Sequence, residues 1–170
     1  AGLSMDEAAA LPMAGMTALK GMRDVARVQR GEQVLVVGAA GGVGTFAVQV
    51  GRTLGAEVVG ACGAAKVEQV RALGLPEVMD GATLDAAIDA GTLDGRFDVV
   101  VDCAAYRSPF RFRRVMRRGG RLVHVGGGFM RLLETALLGP VRGLVDGCRY
   151  LVFFQQSDGD LLREVADLVA

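Results

Sequence analysis

The sequence predicts an α/β protein: a doubly wound, six-stranded parallel sheet with helices on both faces. Three observations carry that prediction. Short apolar stretches rich in valine recur along the chain, starting with "VLVV" at Val34–Val37. Helical patterns separate most of them. A glycine cluster, "GAAGGVG", stands directly between the first strand and the first of those helices. Strands that read as near-continuous valine runs are buried on both faces, as in parallel sheets covered by helices. Strand–helix alternation at this spacing is the doubly wound pattern. The 170 residues fit one domain. Hydrophobic residues make up 51% and aromatics only 5%, so valine, leucine and alanine build the core.

The elements follow in order. "SMDEAAAL" reads as a helix with Ser4 as N-cap and acids in its first turn. After Pro12, "AGMTALKGMRDVARV" reads as a second helix ending near Arg30-Gly31. Strands are expected at Val34–Val37, Val58–Ala61, Val78–Met79, Val99–Val101, Leu122–Val125 and Leu151–Phe154. Between them, helices are expected at Val43–Leu54, Lys66–Leu73, Leu84–Ala90 and Phe110–Arg117. "GGFMRLLETALLGPVRG" is apolar and glycine-bounded and reads as a short helix over a cleft. "SDGDLLREVADLVA" is a closing amphipathic helix.

A turn needs one glycine, and this one has an excess. A dinucleotide fingerprint wants small residues in the pattern G-x-G-x-x-G after the first strand. The first permits the tight turn, the second lets the backbone approach a pyrophosphate, and the third lets helix and strand pack closely. Those positions fall here on Ala39, Gly41 and Gly44, with further glycines at 38 and 42. The helix beginning near Val43 would turn its free N–H groups and its dipole toward the phosphates. The reading is therefore a Rossmann-type sheet that binds a dinucleotide. An NAD site needs a carboxylate at the end of the second strand. Cys62, Gly63, Ala64 and Ala65 supply none, and Lys66 follows with a cation for a 2′-phosphate, so NADP (NADPH) is expected over NAD.

Composition excludes several alternatives. Lysine plus arginine and aspartate plus glutamate balance at 19 each, which argues against a nucleic-acid partner. "RFRRVMRRGGR" concentrates arginines but is expected to be a solvated helix face, one member of which could reach an adenosine phosphate. No apolar run is long enough for a membrane helix. The three cysteines, Cys62, Cys103 and Cys148, form no CxxC, which favours a reducing cytoplasm and no metal site. Cys62 and Cys103 are expected as small apolar fillers at strand ends. His124, the sole histidine, is expected to be a satisfied sheet residue rather than a proton donor. Asp98 and Asp102 are expected to cap or solvate the ends of their strand. The chain lacks an initiator Met and ends without a helix cap, so it reads as cut from something longer.

Several stretches carry a resemblance. "AAALPMAGMTAL", "GEQVLVVGAAGGVGTFAVQVGRTLGAEVVGAC", "KVEQVRALG" and "GGRLVHVGG" resemble the medium-chain dehydrogenase/reductase superfamily, and within it the zinc-independent quinone-oxidoreductase-like branch. The resemblance covers essentially the whole chain. It implies hydride transfer from NADPH to a quinone or enone. It divides the chain into a helical lead-in at 1–30 and an NADP-binding Rossmann domain at 31–170, the GroES-like catalytic domain being absent. It implies no zinc: the cysteine ligand of zinc-dependent relatives falls at about Ala14. By position, Thr17 would lie near the nicotinamide, and Gly41, Gly42 and Val43 would line the pyrophosphate. Cys103, Ala104 and Ala105 would border the adenosine side. Val125, Gly126 and Gly127 would contact the nicotinamide, with Phe153 and Phe154 closing over its carboxamide. Relatives often carry Ser or Thr after the second strand, where this chain has Gly63 and Ala64. Two other readings accompany this one: an enoyl reductase module of a polyketide or fatty-acid synthase, and a non-catalytic NADPH-binding or sensor fragment. An open apolar edge strand, "RYLVFFQ", is expected to pair two copies through residues 149–155.

Overall fold

The computed structural model describes residues 9, 11–125, 129–153 and 159–169. Six strands form one sheet: β1 (Gln33–Val37), β2 (Glu57–Cys62), β3 (Glu77–Asp80), β4 (Phe97–Asp102), β5 (Met116–His124) and β6 (Arg149–Val152). Their order is β3-β2-β1-β4-β5-β6, and every neighbouring pair is parallel. The chain steps outward in one direction from β1, then returns to start the other half at β4. That reversal opens a crevice at the carboxyl ends of β1 and β4.

Helical segments flank the sheet. Residues 11–25 form one continuous rod, here α1, α-helical over Met16–Leu19 and wound more widely on either side. Then come α2 (Gly42–Thr53), α3 (Val67–Arg71) behind a 3₁₀ turn at Ala64–Lys66, and α4 (Gly81–Ala90). A 3₁₀ turn at Pro109–Arg113 precedes β5, and α5 (Phe129–Asp146) and α6 (Gly159–Val169) complete the set.

Alternate strand residues feed two cores. Val34, Val36, Val58, Val99, Val101 and Val123 pack with Met22 of α1 and Ala47 and Val48 of α2. Leu35, Val37, Val59, Val100 and Leu122 pack on the other face with Leu84 and Ile88 of α4, Phe112 and Tyr150. Each such fully buried side chain contributes roughly 1.5–3 kcal/mol relative to exposure. A satellite cluster of Leu11, Met16, Leu19, Leu161 and Val165 docks α6 on α1.

Four expectations require correction. The helix after Pro12 stops at Val25, not near Arg30, because Arg27 takes a left-handed φ of 52° and Val28 N–H closes on Met22 O. Phe110–Arg117 is no helix. Pro109 starts a 3₁₀ turn, and Met116 already begins β5, where Gly119-Gly120 would oppose a helix. The "short helix over a cleft" is the longest helix described, with 18 residues and Pro140 inside it. It lies tight on the sheet because a Cβ on Gly139 would stand 2.7 Å from the Tyr150 Cβ. Asp102, expected to cap or solvate its strand end, caps it by accepting from the Ala104 and Ala105 N–H groups, but is buried rather than solvated. The helix proposed over "SMDEAAAL" falls mostly outside the described residues. Among the described residues, no helix is long and apolar enough to cross a membrane.

Candidate functional site

The turn after β1 is built from backbone. Gly38 and Ala39 N–H donate to Ala61 O at 2.8 and 3.0 Å, and Gly41 N–H donates to Gly38 O at 2.9 Å. Gly38 has φ 81°, and a Cβ there would come within 3.1 Å of Ala104. Gly44 is tighter still: its Cβ would stand 2.8 Å from the Gly38 carbonyl carbon and 2.9 Å from Ala39 Cα. Only glycine lets α2 approach the turn this closely. Gly41 is the N-cap of α2 and no side chain caps the helix. The leading N–H groups of α2 have no intrahelical acceptor, and the dipole adds positive potential there. Gly41 and Gly42 are exposed, so the helix end faces open space at the crevice.

The expected site residues surround this point unevenly. Cys103 N–H donates to Val37 O at 2.9 Å, which brings Cys103 and Ala104 beside Gly38. A Cβ on Gly42 would be 3.7 Å from the Ala14 Cβ, so α1 forms a second wall next to Gly41, Gly42 and Val43. Thr17 lies on α1 and is buried, but its hydroxyl donates to Met13 O at 2.5 Å. Val125 and Phe153 meet over Gly21 of α1, whose Cβ would be 3.6 and 3.3 Å from them. Gly126, Gly127 and Phe154 lie outside the described residues. On the other flank, Lys66 is exposed on the turn past Cys62, and a Cβ on Gly63 would touch nothing within 4 Å.

The two thiols are not poised as nucleophiles. Burial and the Asp102 charge push the Cys103 thiol up to about 12. Burial and Asp80 also raise Cys62, against an opposing pull from Lys66. Both stay protonated near neutrality and serve as small lining groups.

Sequence reasoning named Asp102 as a strand-end cap but missed its burial. It is 1% exposed, and its Oδ1 accepts from the N–H groups of Ala104 and Ala105 at 3.1 and 2.9 Å. This holds Ala105 at a left-handed φ of 53° and shapes the crevice wall. The signal was a carboxylate closing a valine run, "VVVDC". His124 is fully buried, with Nδ1 at 3.0 Å from Thr135 Oγ1. Its Nε2 has no hydrogen-bond partner, so the expectation of a fully satisfied histidine holds for one nitrogen only. The arginine-rich stretch is not a helix face. Arg111, Arg113, Arg114, Arg117 and Arg121 pair with carboxylates, including Asp89, Asp146, Asp94, Asp98 and Glu32. Among the described residues, no group of three or more His, Cys, Asp or Glu could hold a metal ion.

Known proteins resemble this chain in sequence and in fold. A family profile described as zinc-binding dehydrogenase matches residues 42–144. The chain is 35% identical over 170 residues to a spectinabilin polyketide synthase system protein of Streptomyces orinoci, covering 98% of this chain and 8% of that protein. It is 40% identical over 103 residues to a chloroplast envelope quinone oxidoreductase homolog of Arabidopsis thaliana, covering 58% of this chain and 31% of that one. The quinone oxidoreductase of Thermus thermophilus, described with an NADPH complex, superposes with a TM-score of 0.76 at 30% identity, over 99% of this chain and 53% of its own. The CurK enoyl reductase superposes with a TM-score of 0.74 at 29% identity, over 98% and 51%. The chain thus spans about half the length of these structures and a small part of the synthase. A parallel 3-2-1-4-5-6 sheet, a glycine turn feeding an uncapped helix, and these likenesses together place the chain in the medium-chain dehydrogenase/reductase superfamily of oxidoreductases.

Proposed function

We propose that this chain is the NADPH-binding domain of a zinc-independent reductase that delivers hydride to an activated carbon–carbon double bond. The observation that carries the reading is the uncapped N-terminus of α2 behind a side-chain-free glycine turn. The residues fit a dinucleotide: a pyrophosphate needs N–H donors and close backbone approach, and Gly41, Gly42 and Val43 offer both. The bound nicotinamide would supply the hydride from its C4. The chain's own residues bind and orient it. Val125 and Phe153 offer an apolar wall that excludes water from one side of the crevice. Cys103 and Ala104 close the adenosine side. Past β2, the open space at Gly63 and the Lys66 ammonium suit a 2′-phosphate better than a bare ribose.

An enoyl group carried by a polyketide synthase is the favoured substrate, supported by the synthase likeness along 98% of the chain. A free quinone or enone is the second reading, supported by the Arabidopsis relative. The assembly we infer is a homodimer through β6, which lies at the sheet edge and, among the described residues, pairs only with β5. The setting we infer is the cytoplasm.

Titration of both cofactors by nicotinamide fluorescence tests the reading. NADPH is expected to bind more tightly than NADH. Equal or tighter NADH binding would remove the NADP preference, and no binding of either would remove the reading.

A further inference from the structure

Beneath the crevice lies a buried polar chain that the proposed cofactor reading does not use. Asp102 and His124 are register partners on β4 and β5, so their side chains emerge on the same face at the same level. Asp102 is 1% exposed, and His124 and Thr135 are 0% exposed. Asp102 Oδ1 is occupied by the turn after β4, but Oδ2 has no hydrogen-bond partner, and neither has His124 Nε2. Two buried polar atoms without partners, on residues that the register sets opposite one another, are costly until a hydrogen bond satisfies them.

The other end of the chain fixes which hydrogen is needed. Thr135 donates its hydroxyl to Arg131 O at 2.8 Å, so toward His124 its oxygen can only accept. Nδ1 must therefore carry a hydrogen and donate to it. A neutral imidazole then has only a lone pair at Nε2, and the unpartnered Asp102 Oδ2 likewise can only accept.

We propose that His124 takes up a proton at Nε2 and donates it to Asp102 Oδ2, forming a positioning pair that ties the turn after β4 to α5. The step is an acid–base uptake from solvent: one N–H bond forms, the imidazole becomes imidazolium, and the buried pair gains one positive charge. Asp102 on β4 and Glu134 on α5 favour that charge, whereas burial and Arg131 on α5 oppose it. Burial dominates and lowers the histidine, so the pair closes on the acid side of the ordinary imidazole range and opens above it. Glu134 also accepts from Ser108 at 2.7 Å, a second tie between the loop after β4 and α5. Closing the pair steadies Cys103–Ala105, the wall assigned above to the adenosine side. That consequence rests on the cofactor reading; the pair itself does not.

The chain has one histidine, so imidazole nitrogen NMR needs no assignment. The wild-type Nε2 signal is expected to gain a proton as pH falls, at a midpoint about one unit or more above that of Asp102→Asn. Should that variant fail to fold, Thr135→Val, which removes the acceptor at Nδ1, is expected to lower the midpoint in the same direction. A midpoint indifferent to the variants, or no proton uptake before unfolding, would overturn the pair. For positioning, NADPH affinity is compared between wild type and His124→Gln across pH, which cancels the titration of the cofactor itself. Glutamine donates to Asp102 at every pH, so the wild type should match it at low pH and bind about fivefold more weakly above the midpoint. A ratio that stays flat would overturn the positioning role. No NADPH binding at any pH would overturn the cofactor reading instead, and the imidazole titration would still decide the pair.

Discussion

Gly44 and Lys66 mark two kinds of residue at the candidate site. Gly44 is fixed by contact. A methyl group there would collide with the Gly38 carbonyl and Ala39 Cα, all of it backbone. Gly44→Ala is expected to cost about 2–4 kcal/mol in denaturant unfolding, since neither side can yield. A loss below about 0.5 kcal/mol would show that α2 can slide. Among the described residues, Lys66 makes no side-chain hydrogen bond or ion pair, and it should matter mainly when a ligand is present. Lys66→Ala is expected to weaken NADPH by about 1–2 kcal/mol while leaving NADH binding and thermal stability unchanged. The sequence directs attention to these residues because glycine spacing and a missing carboxylate are local facts. It did not show that Asp102 is buried or that His124 is only half satisfied, because both facts depend on two strands 22 positions apart lying in register.

Among the elements, the strands were legible and several helices were not. Valine runs announce buried strands whatever surrounds them. The stretch Phe110–Arg117 misled because arginines at helical spacing also suit a turn whose guanidinium groups reach carboxylates on other elements, as Arg111 reaches Asp89 of α4 at 2.9 Å. α5 misled in the opposite sense, since Gly139, Pro140 and Gly143 lower helix propensity but let the helix lie against β6. One ion pair joins elements that the sheet keeps apart. Arg96, just before β4, grips Glu77 of β3 through two bonds of 2.8 and 2.5 Å. The Arg96 hydrogen bonds hold the Glu77 carboxyl below its usual range despite the opposing effect of burial. A carboxylate whose folded pKa is depressed contributes stability that is fully present above the ordinary glutamate value, about 4.3, and lost as pH falls through the folded one. Thermal unfolding of the wild type should therefore fall more steeply below about pH 4.5 than that of Glu77→Gln. Parallel curves would show that solvent screens the pair to no effect.

At the scale of the molecule, the surface is unevenly finished. Leu137, Val141, Leu144 and Val145 of α5 are exposed, next to the edge strand β6, where Leu151 and Val152 are half-buried. An apolar helix face beside an unpaired strand edge favours association. Sedimentation at micromolar concentration is expected to show a dimer that Val152→Lys splits; a monomer indifferent to that substitution would count against pairing through β6. The same incompleteness bears on catalysis. The chain spans about half of its structural relatives, so NADPH oxidation with a quinone or an enone should stay far below the ~10 s⁻¹ of a typical enzyme.

The glycine turn has one further consequence, for how such a domain changes over generations. At Gly44 its floor is backbone against backbone, so a substitution there is opposed by the fold itself. Its rim at Gly63 opens on free space and tolerates any side chain the ligand will accept. On the proposed cofactor reading, drift is therefore steered: the fold itself opposes change in the capacity to hold a dinucleotide, while the preference between two dinucleotides stays open to single-step change.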